Sequence, residues 1–288
     1  MESKNDILNQ NNQKILLGNI KSNRIVRQIF NNLLKKNCFR IIKYNKSFQN
    51  KLNLDINDYK KYSKIEIEII PLENQIGPFI IIPKEEEQVY FHIYFDDNKN
   101  EIKQYSLNES QKIKKIKIII DNEIKSLSKL FEYCNCIKTI EFKRFYRNNI
   151  NDINDMNNMF SGCFTLKRII FTQFNTNNVT DMSYMFYGCT SLDELNLSNF
   201  NTTNVINMSH MFDQCSSLVK LNINHFNINN VKYMTHMFSW CNSLQNINLF
   251  RFEKNKSINV SWMFNGCSYE LKKKIRKQNK NIGKSAFT

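Results

Sequence analysis

Val179-Thr-Asp-Met182-Ser-Tyr-Met185-Phe186-Tyr-Gly-Cys189-Thr-Ser-Leu192-Asp-Glu-Leu195-Asn-Leu197-Ser-Asn-Phe200 decides the fold, because it returns. The next copy places Val205, Met208, Met211-Phe212, Cys215, Leu218, Leu221, Ile223 and Phe226 in the same frame. After it come Val231, Met234, Met237-Phe238, Cys241, Leu244, Ile247, Leu249 and Phe252. The copy before runs Ile153, Met156, Met159-Phe160, Cys163, Leu166, Ile169, Phe171 and Phe174. Cys163, Cys189, Cys215, Cys241 and Cys267 therefore stand 26 residues apart, and nine of the ten methionines fall inside the frame. A fixed period of this length is the mark of a solenoid, in which each unit buries its apolar face only against its neighbours.

The frame itself says how a unit winds. Leu195-x-Leu197 has period two, so both leucines face one side of a short strand. Strands from successive coils then stack as a parallel sheet with rungs about 4.8 Å apart. Met182 and Met185-Phe186 are spaced by three and four residues, which predicts a short helical turn that Gly188 ends. The expected class is α/β: a solenoid of short parallel strands plus helical turns, with a 26-residue period over residues 113–267. Ile113, Ile116 and Ile118 read as a first, degenerate strand piece. Ile124, Leu127, Leu130-Phe131, Cys134, Ile137, Ile140 and Phe142 read as a full frame, with three residues inserted before Cys163.

The frame resembles the BspA-like class of leucine-rich repeats. Its Met-Phe-x-x-Cys-x-x-Leu-x-x-Leu-x-Leu run is matched by Met185 to Leu197, and its Val-Thr-x-Met joint by Val179 to Met182. The resemblance implies a leucine-rich-repeat solenoid with a recognition or adhesion role. Members are often secreted or surface-anchored, so a surface adhesin is one reading that the resemblance adds. The opening MESKNDILNQNNQK is polar, with no apolar core before a small-residue cleavage site and no lipidated Cys, which places the expected protein in the cytoplasm.

Other segments flank the solenoid. Residues 1–20 are polar and read as a disordered tail. Residues 21–62 turn helical: Ile25, Val26, Ile29, Phe30 and Leu33 form one apolar stripe, and Phe39, Ile41, Ile42, Phe48 and Leu52 a second. This segment resembles an F-box in Ile25-Val26-x-x-Ile29-Phe30-x-x-Leu33, Cys38-Phe39-Arg40-Ile41 and Tyr44-Asn45-Lys46-Ser47-Phe48, without the Leu-Pro that opens that motif. The resemblance implies a substrate receptor of a cullin ubiquitin ligase, with Ile29, Phe30, Leu33 and Phe39 against the ligase's linker subunit. Residues 63–112 alternate in Ile65, Ile67 and Ile69 and again from Val89 to Phe95. They hold all three prolines and predict a small antiparallel β segment that caps the solenoid. Residues 268–288 break the frame with Tyr269-Glu-Leu-Lys-Lys-Lys-Ile-Arg-Lys, a basic helical cap.

The net charge of +15 is uneven: +8 in residues 1–152, +1 in 153–267 and +6 in 268–288. A nucleic-acid reader carries its charge on the recognition surface, and a near-neutral solenoid argues against that class. No stretch approaches the roughly 20 apolar residues of a membrane span.

One thiol per coil is a ladder of single ligands, so the cysteines read as buried structural residues and no metal is expected. The asparagine columns Asn175, Asn201, Asn227 and Asn178, Asn204, Asn230 read as backbone partners along the stack. No catalytic set and no cofactor motif is present. The position between the two methionines stays aromatic, as Tyr184, His210, His236 and Trp262, and points outward. That column is the candidate partner-binding site. The sequence thus reads as a non-enzymatic scaffold that binds a protein partner through its solenoid, with the F-box receptor and the adhesin as alternatives.

Overall fold

The computed structural model describes residues 47, 50, 64–121, 123–145, 153–172, 174–249 and 257–288. The chain divides into two compact units, Met1–Ser63 and Lys64–Thr288. Of the first, Ser47 and Asn50 are helical and exposed. The tail, and Ile29, Phe30, Leu33 and Phe39 of the F-box-like segment, lie outside the described residues.

The second unit is rich in sheet. Its strands are β1 (Ile65–Pro71), β2 (Gly77–Pro78), β3 (Phe91–Phe95), β4 (Ser106–Leu107), β5 (Ile116–Ile120), β6 (Ile137–Arg144), β7 (Arg168–Phe171), β8 (Glu194–Leu195), β9 (Lys220–Asn222) and β10 (Asn246–Asn248). Eight of them form one sheet in the order β10-β9-β8-β7-β6-β1-β5-β3, while β2 pairs with β4. From β6 to β10 every pairing is parallel, as in Ile140↔Ile169↔Leu195 and Leu221↔Ile247. This long, mostly parallel sheet fits a repeat solenoid.

The antiparallel segment seals one end of the parallel stack. β1 lies between β5 and β6 and runs antiparallel to both, and β3 follows on β5, also antiparallel. The free edge of β6 is thereby paired instead of left open to another chain. The alternation of Ile65, Ile67 and Ile69 with Glu66 and Glu68 is what lets β1 do this, since these three isoleucines are fully buried. One expectation is corrected here. Ile116 and Ile118 belong to β5, an antiparallel strand, and are not the first rung of the repeat. Their Ile-x-Ile spacing suits any half-buried strand, so spacing alone did not separate the two roles.

A second correction concerns the turn face. The stretch from Met182 to Cys189 is not helical but folds in successive reverse turns, closed by Met185 N–H to Met182 O at 3.4 Å and Cys189 N–H to Phe186 O at 3.2 Å. The third residue of each turn has positive φ, 57° at Tyr184 and 66° at Gly188, which is type II geometry. The physical reason is the neighbouring coil. A helix would spend its N–H groups within itself. Here alternate N–H groups, of Met182, Tyr184, Phe186 and Gly188, donate to Asn207, Ser209, Met211 and Asp213 O at 2.8–3.0 Å. Each coil is thus bonded to the next on its turn face as well as along its strand.

The core between the two faces is built of columns. Phe131, Phe160, Phe186, Phe212, Phe238 and Phe264 stack with centroids 5.3–5.6 Å apart. Burying each ring is worth roughly 1.5–3 kcal/mol by transfer from water. The repeat cysteines are buried and free. Their thiols donate to the phenylalanine carbonyl of the preceding coil, as Cys189 Sγ to Phe160 O at 3.2 Å and Cys215 Sγ to Phe186 O at 3.1 Å. Burial pushes the Cys163 thiol up to about 12 and the Cys267 thiol up to about 11. The asparagine columns bond the backbone as read: Asn201 and Asn227 Oδ1 accept from the N–H two residues on. Asn204 Nδ2 donates across to Asn177 O at 2.7 Å.

Residues 268–288 close the other end. The helix α1 (Tyr269–Gln278) is capped by Ser268, whose hydroxyl accepts from Leu271 N–H, and it buries Leu271 and Ile275. The chain then returns along the turn face, where Ser285 O and Ala286 O accept from Trp262 and Phe264 N–H at 2.7 and 2.8 Å. Phe287 adds a last ring on Phe264 at 5.6 Å, and the Arg276 guanidinium covers it at 4.4 Å. Among the described residues, no helix is long and apolar enough to cross a membrane.

Candidate functional site

Two surfaces of the stack carry side chains that the core does not use. The first is the strand face. Arg168, Glu194, Lys220 and Asn246 point outward from β7 to β10, beside Asn196, Asn222 and Asn248, while Ile169, Leu195, Leu221 and Ile247 point in. This face lines an open groove of about 1480 Å³ that also takes in Lys274, Gln278 and Asn279. Lys274 Nζ reaches Asn246 Oδ1 at 3.1 Å, so α1 forms the groove's end wall.

The second surface is the turn face, where the structure brings Tyr184, His210, His236 and Trp262 into one column. Tyr184 lies on His210 at 4.4 Å with planes 7° apart, and His210 on His236 at 4.6 Å with planes 10° apart. His236 and Trp262 are wider, at 6.2 Å and 6°. All four residues have φ between 56° and 62°. The left-handed conformation disfavours a side chain by about 1–2 kcal/mol per residue, and glycine or asparagine takes it more readily. Asn158 does so in the coil before Tyr184. The column is partly covered; Trp262 is 47% exposed.

Asp213 stands beside this column, and sequence reasoning missed it. Its Oδ2 is 2.8 Å from His210 Nδ1. The residue is 5% exposed, and its Oδ1 is buried with no hydrogen-bond partner. The only signal for it in the sequence is its place three residues after His210, which the turn closes into contact. His210, Asp213 and His236 each offer one ligating atom, and these atoms lie within 4.8 Å of one another. Burial and the neighbouring His210 lower the His236 pKa against the opposing pull of Asp213. Burial first, then the Asp213 charge, raises that of Tyr184.

A second set of rings was also missed. Tyr133 and Trp240 occupy the other left-handed position of their coils, where Gly162, Gly188 and Gly266 stand elsewhere. Both rings are about half exposed, and each lies over the glycine of the next coil.

No curated protein matches this chain. Among solved structures, a leucine-rich cell surface protein from Faecalibacterium prausnitzii A2-165 is similar at 16% identity and a TM-score of 0.37, over 66% of this chain and 47% of its own. The chain thus spans about half the length of that protein. The family described as "Mycoplasma protein of unknown function, DUF285" matches residues 125–249 and 154–278, which between them cover all four rings of the turn-face column. Because those two matches together take in more than half of the chain, it belongs to that family.

Proposed function

We propose that this chain is a non-enzymatic leucine-rich-repeat scaffold that docks a protein partner on the turn face, with Tyr184, His210, His236 and Trp262 as the contact column. The observation that carries the reading is the pairing of strain with exposure. Four consecutive coils hold an aromatic ring in a backbone conformation that glycine or asparagine accepts more readily. The outermost ring, Trp262, is left half open to solvent. Large flat rings on a rigid backbone give contact area at small entropic cost, which is why such residues dominate binding hot spots.

The test is affinity purification of tagged protein from its own cells, comparing wild type with Tyr184→Asn and Trp262→Asn. Asparagine tolerates the left-handed conformation, so the fold should keep its melting temperature. The reading holds if a partner recovered with wild type is lost from both variants. It fails if the same proteins come down with all three. A version without residues 1–62 runs alongside. Recovery of a cullin linker subunit only when those residues are present would favour the F-box receptor instead.

A further inference from the structure

The turn face carries a feature that partner docking does not require. One ligating atom from each of His210, Asp213 and His236 lies within 4.8 Å of the others, and the same Asp213 carboxylate has a second oxygen, Oδ1, that is buried with no partner. A buried carboxylate is ordinarily hydrogen-bonded on both oxygens or neutralised by a cation. Here only Oδ2 is engaged, by the His210 imidazole at 2.8 Å. Ser239 repeats the anomaly one coil on, in the same column as Asp213. It is 1% exposed, and its hydroxyl has no partner either.

From this convergence we infer that His210, Asp213 and His236 form a binding site for a divalent transition-metal ion of the zinc type. Two imidazoles and one carboxylate are a donor set that such ions take, with a fourth position left for water or a hydroxyl. Magnesium and calcium prefer all-oxygen surroundings and are excluded by the two nitrogens. The stacked geometry defines what must move. With ring planes 10° apart at 4.6 Å, no point within bonding distance of both rings lies in both planes, since a zinc–nitrogen bond is only about 2 Å long, so one imidazole must turn about its Cβ–Cγ bond. His210 is held by Asp213. The His236 ring has no hydrogen bond among the described residues, and its other stacking neighbour, Trp262, is farther off by centroid, at 6.2 Å, than His210 at 4.6 Å. His236 is therefore the ligand that swings in, while the ion takes the place of the proton shared by His210 Nδ1 and Asp213 Oδ2, which is released to solvent. This site does not depend on the docking reading, since it needs no partner.

Calorimetric titration of the purified full chain with zinc chloride tests it, together with cobalt(II) chloride followed by visible absorption. Wild type should bind one ion per chain, and bound cobalt should show the intense visible bands of four-coordinate geometry. Asp213→Asn and His236→Asn should each weaken zinc binding by at least about tenfold. Absence of saturable binding to wild type overturns the proposal. So does binding that survives in both Asp213→Asn and His236→Asn, because the ion would then sit elsewhere. Circular dichroism of each variant separates ligand loss from unfolding, and Ser239→Ala gives a folded comparison with all three ligands intact.

Discussion

The indole of Trp240 lies over Gly266, so close that a Cβ on the glycine would meet Trp240 Cδ2 at 2.7 Å. Gly188 differs only in its cover: there a Cβ would meet the edge of the Phe164 ring at 3.3 Å. Both glycines have left-handed φ, 71° and 66°. Alanine at either position should therefore lose about 1–2 kcal/mol from backbone conformation, and Gly266→Ala should lose more because the indole must shift. Urea denaturation should rank the midpoints wild type, Gly188→Ala, Gly266→Ala. Equal midpoints for the two variants would mean the indole is loosely held.

The phenylalanine column should be uneven along its length. Phe212 has a ring on each side at 5.5 Å, whereas Phe287 has Phe264 on one side and Arg276 on the other. Phe212→Ala should cost about 3–5 kcal/mol and disrupt both neighbouring coils, since each coil is stabilised by those it touches. Phe287→Ala should fray only the end coil. Hydrogen exchange would show this as lost protection at Trp262 and Phe264, with protection at Phe186 retained.

Alkali should weaken the fold through its thiols. In the unfolded chain a thiol ionises at about 8.5, while burial raises Cys163 to about 12 in the fold. Cys189, Cys215 and Cys241 are raised well above the ordinary value for the same reason. The native state then holds protons that the unfolded state releases. Stability should be complete below the unfolded value and fall as pH rises from about 9 towards 12. Chemical denaturation across that range checks it, and Cys189→Ala should flatten the slope. In native protein near neutral pH, these thiols should resist a thiol-specific reagent until the chain is unfolded.

Acid should act through His236. Burial and the adjacent His210 lower its pKa in the fold, so the unfolded chain protonates first. The associated stability is present above about pH 6.5, the unfolded value, and is lost as pH falls below it. His236→Asn, which keeps the left-handed backbone, should reduce the fall in melting temperature between about pH 7 and pH 5. An identical fall in both proteins would place the acid sensitivity elsewhere.

The period of the chain determined the stack by itself. Leu195 and Leu197 alternate, Cys189 and Phe186 recur, and the copies can bury such sets only against one another, so the inward columns and the outward rings are legible in the sequence. The same holds for the asparagines, whose short side chains reach nearby backbone in almost any stacked turn. Three things depended on tertiary structure. The strand Ile116–Ile120 looks like a repeat rung in sequence, yet pairs antiparallel because β1 offers it an edge from more than 40 residues away in the chain. Met182 to Cys189 has helical spacing but folds as turns, because the neighbouring coil takes the N–H groups a helix would keep. Asp213 carries no pattern at all, since its role depends on a left-handed turn at His210 and on a second imidazole one coil away. Side-chain periodicity reports which residues face inward. It does not report where a backbone donor finds its acceptor, and that choice set both the turn face and the site on it.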